Sequence, residues 1–319
     1  MTTSPTFTYS RDQIIRRSLR QCGAIAAGDT PGAQEVSDAS DALNAMVAEW
    51  QASGLHLWKE KEATLFLQPS QYNYGLPAST SHVCATPLLN QTTTTFGYAA
   101  GVSSIQVGSA SGFGDGDAIG IMLASNALFW TTVTGVGGAI GLASPLPSAV
   151  NAGAVVFDYP QSAVIYRPLR VLNVRRILWS SMIETMVTPM SRLDYRNQPD
   201  KTQTGVVTQY FYDPQLGIGQ FWAWPNPLDS TNGLRFTYME PIYDFNTAAD
   251  YPDFPQEWIN CLVWNLSQEI GIEYDIPAAR WAMIVKRAEE TKDVVSGFDR
   301  EPESFYLGVN FDQTSRGNG

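Results

Sequence analysis

The sequence of 319 residues has few of the groups on which common protein chemistries depend. It contains three cysteines and two histidines, and only 16% of its residues are charged. Cys22, Cys84 and Cys261 are too widely spaced for a zinc-ligand pattern, and three cysteines do not form a disulfide framework. We therefore expect reduced thiols, no bound metal and no other cofactor.

Motifs for nucleotide binding and membrane insertion are missing as well. No GxxxxGK[ST] occurs, and the glycine-rich strings at 112–114 and 135–138 stand in turn-like contexts without a following helix. No apolar run approaches the roughly 20 residues of a membrane helix. The N-terminus lacks the basic start and apolar stretch of a signal peptide. These absences favour a cytoplasmic origin and no contact with a membrane.

Positive charge is also scarce. The chain has 20 Lys and Arg against 31 Asp and Glu, a formal net charge of -11. This balance argues against a protein that coats DNA through a general basic surface. Low charge combined with nine Trp and 14 Tyr is typical of surfaces that contact other proteins.

The middle of the chain has its own composition. No Lys or Arg occurs between Lys61 and Arg167, and short alternating apolar runs such as 105–107 and 119–121 are separated by Gly, Ser and Asn. This pattern predicts a small β-barrel or sandwich inserted over residues 84–160. Because an inserted module has closely spaced ends, we expect the helical core to remain foldable when residues 84–159 are replaced by a short linker.

Helical patterns flank this module on both sides. Ser10 and Gln13 form a capping box ahead of a helix that ends at Gly23. A second helix is predicted to begin at Thr30, with Pro31 at its first position, and to end at Gly54. Two further helices are predicted near the C-terminus, each opened by a proline.

We therefore predict an α+β fold. An N-terminal αα-hairpin and a C-terminal helix pair form a helical bundle, joined by a β-strand region and the inserted module. The predicted segments are 1–83 (helical hairpin and first strand), 84–160 (inserted module), 161–254 (β-rich region with a long exposed loop at 190–205), 255–297 (C-terminal helices) and 298–319 (extended tail).

Candidate catalytic and metal sites are weak. His56 and His82 have no His or Cys neighbour at metal-ligand spacing. The run 114–117, with two aspartates, favours a β-turn over a calcium loop because further acidic ligands are missing. Paired carboxylates such as Glu35 and Glu49 stay open as glycosidase candidates, since sequence does not give their separation. We predict no catalytic residue, no metal ligand and no enzyme activity.

One charged surface stands out. Arg16, Arg17 and Arg20 fall on one side of the first predicted helix. They suit DNA phosphates, an acidic protein surface or plain solvent, and the net charge favours a protein partner. Trp264 lies on a helix that is apolar nearly all round, and is either a core residue or a subunit contact. We assign these four residues to a subunit or partner interface.

The order of these elements carries a resemblance to a known family. The N-terminal residues concerned are Gly23, Gly28, Pro31, Leu43-Asn44-Ala45-Met46, Trp50 and Gly54-Leu55. The C-terminal ones are Leu262, Asn265 and Leu266 in the helix opened by Pro255. In both parts the chain resembles the head-to-tail adaptors of short-tailed bacteriophages, the tail accessory factors or packaged-DNA-stabilisation proteins. The uncharged module and the aromatic strands depart from the smaller members.

The resemblance implies a structural virion protein of the neck or tail, assembled in the host cytoplasm. Such adaptors form homo-oligomeric rings, commonly dodecamers. The rings dock on the portal protein, extend the DNA channel, help to retain packaged DNA and provide the platform for tail assembly. The implied partners are the portal, other copies of the chain, downstream tail nozzle or fibre proteins, and DNA that passes without sequence-specific binding.

The resemblance also implies particular contact residues. The family's portal-gripping segment corresponds to 298–319, whose aromatic and aliphatic residues suit folding on binding. Its candidate portal-binding residues are Phe305, Tyr306, Leu307, Val309 and Phe311. The aromatic strands, which the resemblance does not explain, are either decoration or a docking surface for a tail protein, with Trp179, Trp222 and Trp224 as the candidate docking residues. A strongly negative ring would repel DNA phosphates and so let DNA slide during ejection.

Two other functions stay open. One is a receptor- or carbohydrate-binding tail protein that uses Trp179, Trp222 and Trp224 as sugar platforms. The other is a cell-wall hydrolase, for which the only motivation is the scattered carboxylates.

Overall fold

The computed structural model describes residues 8–54, 59–76 and 82–298. The chain is a mixed α+β protein, as predicted, and its residues divide into two units. The described parts of Met1–Trp58 and Tyr243–Gly319 form a helix-rich unit, and Lys59–Ile242 forms a strand-rich unit. The first strand therefore lies with the other strands, whereas the predicted segment 1–83 grouped it with the helices.

Five helices are present among the described residues. In chain order they are α1 (Arg11–Cys22), α2 (Ala33–Ser53), α3 (Arg192–Asn197), α4 (Ile259–Gly271) and α5 (Ala278–Phe298). Within the helix-rich unit, α4 contacts α1, α2 and α5. Because α1 and α2 come from the start of the chain and α4 and α5 from its end, this unit brings the two ends together.

The helix boundaries follow local capping. The Ser10 amide donates to the Gln13 side chain at 2.9 Å, and α1 ends at Gly23 in the left-handed region (φ 82°). The start of α2 differs from the prediction at Thr30. The Gly32 amide donates to the Glu35 carboxylate at 2.8 Å, so Gly32 is the N-cap and the helix begins after Pro31.

The contact between α1 and α4 combines apolar burial with hydrogen bonds. Ile14, Ile15 and Leu19 of α1 are fully buried. The Ser18 hydroxyl lies 3.0 Å from the carbonyl oxygens of Ile14 and Val263, and so reaches from α1 to α4. The buried Ser18 hydroxyl therefore has hydrogen-bond partners at the point where α1 and α4 touch.

The strand-rich unit contains sixteen strands among the described residues. They are β1 (Glu60–Phe66), β2 (Asn73–Leu76), β3 (Val83–Ala85), β4 (Asn90–Thr93), β5 (Ser104–Ile105), β6 (Ala118–Met122), β7 (Leu128–Val136), β8 (Ile140–Leu142), β9 (Val155–Tyr159), β10 (Arg170–Leu178), β11 (Ile183–Pro189), β12 (Thr204–Gly205), β13 (Gln209–Asp213), β14 (Gly219–Trp224), β15 (Asn226–Pro227) and β16 (Asn232–Met239). The strands β12 and β15 form a separate parallel pair.

The larger sheet has eight strands in the order β2-β14-β13-β11-β10-β16-β1-β3. Its central ladder is antiparallel, with Phe236 of β16 opposite both Ala63 of β1 and Val174 of β10. Leu76 of β2 and Val83 of β3 share one apolar core although their strands stand at opposite ends of this order. The sheet therefore curves around its core in a partly barrel-like way.

The predicted module has its own six-stranded sheet, in the order β4-β9-β6-β7-β8-β5. Asn90 near its entrance lies opposite Asp158 near its exit, so the chain enters and leaves side by side. Strand β3 pairs with β1 of the larger sheet, which makes the predicted start at residue 84 too early. The module's core consists of small aliphatic residues such as Ile119, Ile121 and Val156.

The module also shares a core with the larger sheet. Phe66 and Trp179 of the sheet region pack with Phe157 and Tyr159 of β9. The Phe66 ring centroid lies 4.8 Å from that of Phe157 and 5.6 Å from that of Trp179. Deleting the module would expose these rings of the strand-rich unit to water. The helices α1, α2, α4 and α5 belong to the other unit, so the folding of the helical core without 84–159 stays a prediction.

The segment 190–205 is mostly exposed, as its polar sequence predicted, but it is not one continuous loop. It contains α3, whose first turn is fixed because the Asp194 amide donates to the Ser191 hydroxyl at 3.1 Å. Tyr195 on this helix is buried. A short capped helix with one buried ring therefore holds this segment.

Gly233 provides a test of the shared core. It faces Trp179, and a Cβ atom at this position would overlap the indole ring. Since both residues are buried, we expect Gly233→Ala to lower the free energy of unfolding by about 1–3 kcal/mol through overpacking. Urea titration gives the measurement. Gly138→Ala is the matched control, because nothing lies within 4 Å of its Cβ position. Equal stabilities of the two variants would contradict this packing.

Candidate assembly surfaces

The described residues do not assemble a catalytic or metal site at the positions considered from sequence. Within the described ranges, no group of three or more His, Cys, Asp or Glu is arranged to hold a metal ion. Glu35 and Glu49 lie on one helix, about 21 Å apart along its axis, whereas glycosidase carboxylates lie about 5–9.5 Å apart. The Asp117 carboxylate accepts from the Gly114 amide at 2.6 Å, so 114–117 forms a turn. His56 lies outside the described residues.

His82 is part of the shared core. Its ring stacks on Trp130, with centroids 4.0 Å apart, and Nδ1 lies 3.1 Å from the Tyr159 hydroxyl. Burial lowers the pKa of His82 from 6.5 to about 4. The imidazole is therefore neutral at physiological pH and packs as an aromatic ring.

This shift predicts a pH dependence of stability. Because the unfolded chain binds a proton at pH about 6.5 and the folded chain only near 4, the contribution of His82 is complete above pH 6.5. It falls as the pH decreases toward 4, by about 1–2 kcal/mol for this partly exposed ring.

The measurement is urea unfolding of wild type and His82→Gln at pH 7.5 and pH 5. Burial raises the pKa of Asp158 to about 6, and this gives a dependence of the opposite sign in an overlapping range. The informative quantity is therefore the difference between the two proteins, which should shrink at pH 5. A difference that is the same at both pH values would contradict the assignment.

The three predicted arginines lie together on the exposed side of α1. Arg16, Arg17 and Arg20 line a shallow cavity of about 270 Å³ with Tyr9 and Gln13. Arg17 donates to the Tyr9 hydroxyl at 3.0 Å and its guanidinium lies 5.6 Å from the centre of that ring. The cluster is a polar, positively charged surface of the helix-rich unit.

A fourth arginine extends this surface, and sequence analysis missed it. A Cβ atom at Gly23 would overlap the Arg280 guanidinium, so this side chain from α5 lies against the C-terminal end of α1. A positive charge is favourable there because of the helix dipole. Arg280 is more than 250 positions away in sequence from the other three, so only the packing of α5 reveals it.

Trp264 is partly exposed on α4, between the buried residues Val263 and Leu266 and the exposed Asn260. A second open surface of the helix-rich unit is formed by other residues of α4 together with α5. Cys261 of α4 and Val294 of α5 line a groove of about 610 Å³ whose border carries acidic side chains. Trp264 does not line this groove, and its role as a subunit contact stays a prediction.

The three tryptophans assigned to tail-protein docking do not form one surface. Trp179 is 3% exposed in the shared core, so its assignment as a docking residue or sugar platform is wrong. Trp222 and Trp224 lie on the same side of β14 because their side chains alternate with buried Phe221 and Ala223.

Both of the remaining tryptophans have contacts within the chain. Trp222 stacks on Tyr72 with centroids 5.7 Å apart, and its ring lies 5.1 Å from that of Tyr195. The Trp224 Nε1–H donates to the Asp200 carbonyl oxygen at 3.3 Å. They are half-buried members of one aromatic surface.

The β10–β11 hairpin exposes apolar side chains on both of its faces, which sequence analysis missed. Its exposed apolar side chains are Leu178, Met182, Ile183 and Met186. Strand β11 pairs with β13 only through Thr188 and Pro189, which leaves the earlier part of its outer edge open among the described residues. Exposed apolar residues on an open strand edge are typical of protein contacts. Sequence analysis named no strand here, and the exposure of a strand edge depends on pairing that the local sequence does not show.

The candidate portal-binding residues lie outside the described residues. Phe305, Tyr306, Leu307, Val309 and Phe311 all belong to 299–319. The assignment of this segment to portal contact stays an expectation from the family resemblance.

Comparisons with known proteins do not identify the chain. No family model matches it, and no curated protein matches it. Among solved structures, VP17, a capsid protein of bacteriophage P23-77, aligns over 60% of this chain and 77% of its own, with 10% identity and a TM-score of 0.12. A similarity at this level carries no argument about fold or function. None of the helices among the described residues has the length and apolar character needed to cross a bilayer.

The hairpin tip gives a prediction. Because Ile183 and Met186 are 62% and 78% exposed, we expect Ile183→Ser/Met186→Ser to change the free energy of unfolding by at most about 0.5 kcal/mol. Val187→Ser on the same strand is the matched control, since Val187 is buried and its replacement should cost about 2 kcal/mol or more. Thermal and urea unfolding compare the variants. A large decrease in the free energy of unfolding of the double variant would mean that the hairpin tip is packed within the chain, and would contradict its exposure.

Proposed function

We propose that the chain is a structural virion protein of a short-tailed bacteriophage, a ring-forming head-to-tail adaptor. In this role it docks on the portal, extends the DNA channel, helps to retain packaged DNA and provides the platform for tail assembly. It acts through contacts with other proteins and has no catalytic residue or cofactor.

The observation that carries the proposal is the joining of the two chain ends in one helical unit. The adaptor-like motifs run from Gly23, at the end of α1, through α2, and recur in α4 near the end of the chain. These segments pack on each other, and the Cys22 thiol of α1 lies 3.1 Å from the Ser267 carbonyl oxygen of α4. Two separate stretches of resemblance therefore support each other, because the packed unit contains both.

The exposed surfaces are compatible with this role. The arginine surface of α1, the groove between α4 and α5 and the apolar hairpin tip each have the character of protein-contact surfaces. A multimeric ring uses several such contacts, whereas an enzyme would need one site with converging polar groups.

The net charge of -11 also fits a DNA conduit. A negative lumen repels DNA phosphates and lets the DNA slide. Segment 298–319 is proposed as the portal anchor, with the five residues named for it by the resemblance.

The alternatives have less support. A carbohydrate-binding surface built on the three tryptophans is not supported, because Trp179 is buried in the core. A hydrolase built on Glu35 and Glu49 is excluded by their separation along α2. No other described group of residues offers a specific reason to prefer either function.

Mass measurement of the chain, its portal and their mixture tests the proposal. We expect the chain to join the portal as a ring of twelve copies and to remain smaller when it is alone. Stable trimers that bind glycans, or a chain that never joins the portal, would contradict the adaptor role.

The tail variant Phe305→Ser/Phe311→Ser sharpens this test. Loss of two aromatic anchors should weaken portal attachment at least tenfold, while the melting temperature of the chain stays unchanged. The matched control is Gln313→Ala/Thr314→Ala in the same segment, which should attach normally. Normal attachment of the aromatic variant would exclude the tail as the anchor.

A further inference from the structure

Three guanidinium groups form a line along the exposed side of α1. Arg16, Arg20 and Gly23 follow the i, i+4, i+7 spacing of one helix face, and the Arg280 side chain occupies the position over Gly23. The line is about 10 Å long, from the helical rise of seven residues. All three arginines are exposed. We name Arg16, Arg20 and Arg280 the basic stripe.

A line of carboxylates runs along the exposed side of α2. Asp38, Asp41, Ala45 and Glu49 follow the spacing of one helix face, and all four are exposed. This line is about 16 Å long, and α2 contains no Lys or Arg. The small side chain of Ala45 leaves room for another helix to approach. We name Asp38, Asp41 and Glu49 the acidic stripe.

Among the described residues, these charges have little compensation. Among the ion pairs of the described residues, none includes a member of either stripe. Asp38 accepts a hydrogen bond from the Gln34 side chain at 2.7 Å, which leaves its charge unpaired. The same unit thus presents a positive and a negative line of similar length, and the two lines do not pair with each other.

We propose that the basic stripe of one copy docks on the acidic stripe of the next copy. The inference rests on the proposed ring and names the surfaces that form it. Because the two stripes are different surfaces, the contact is heterologous. Each copy carries one basic and one acidic stripe, so copies can add head to tail. They form a closed ring when the rotation from one copy to the next divides a full turn evenly.

A second copy is a better partner for the basic stripe than DNA. Three cations on a chain of net charge -11 are few for a duplex, whose affinity depends on many phosphate contacts. The acidic stripe, in contrast, repels DNA and is complementary to a positive partner. One contact between copies accounts for both stripes.

The experiment uses two charge-reversed chains. One carries Arg16→Glu/Arg20→Glu/Arg280→Glu and therefore has two acidic stripes. The other carries Asp38→Lys/Asp41→Lys/Glu49→Lys and therefore has two basic stripes. Neither should form rings on the portal, with at least a tenfold loss in the assembled fraction. An equal mixture should restore rings, because the two chains can alternate around the ring.

The matched control reverses charge elsewhere on the helix-rich unit. Lys286→Glu/Glu289→Lys on α5 reverses two exposed charges that belong to neither stripe and do not line the groove between α4 and α5. It should assemble as wild type does. Circular dichroism and thermal melting establish that each variant is folded.

Assembly of wild type should weaken at 1 M salt, where the Debye length falls to about 3 Å.

The outcomes separate this inference from the proposed function. Normal assembly of either reversed chain, or failure of the folded mixture to assemble while wild type does, would overturn the stripe pairing alone. Intact rings with loss of DNA retention in the first variant would make DNA the partner and also overturn it. If wild type itself forms no ring, the proposed function fails.

The pairing itself can still be measured without a ring. Sedimentation of the two reversed chains should show salt-sensitive association in the mixture and none in either chain alone. A mixture that sediments as monomers would overturn the inference.

Discussion

The contact between α1 and α4 is the interaction on which the helix-rich unit depends. Residues 245 positions apart meet there, as the Ser18 hydroxyl reaches the Val263 carbonyl oxygen and the Cys22 thiol reaches that of Ser267. The contact brings helices from the start and the end of the chain together in one unit. It also fixes which faces of α1 and α2 remain outside, and those are the faces that carry the unpaired charges. The same α1–α4 contact therefore joins the two ends of the chain and determines which charged faces are exposed.

Local signals determined what could be predicted from the sequence. Capping by Ser10 and Gln13 and the left-handed Gly23 and Gly54 set helix ends within a few residues, so α1 and the end of α2 were predicted correctly. The uncharged middle likewise indicated the β module. Properties that depend on distant partners were missed. Trp179 looked like a docking residue because nothing local shows that Phe66 and Phe157 cover it.

The candidate surfaces show the same division. Helical spacing placed Arg16, Arg17 and Arg20 together, but Arg280 joins them only through the packing of α5 against the end of α1. The exposure of the apolar residues of β11 follows from a ladder that meets β13 only at Thr188 and Pro189. Burial is a property of the sheet as a whole, so alternation alone does not assign it.

The central claim is that this chain forms the ring between portal and tail, and an image of the assembled virion neck tests it most directly. The account predicts a ring of twelve copies directly beneath the portal, with α1 of each copy beside α2 of its neighbour and the DNA channel passing through the centre. Density for the chain in the capsid shell or in a peripheral fibre, with no ring at the neck, would contradict it.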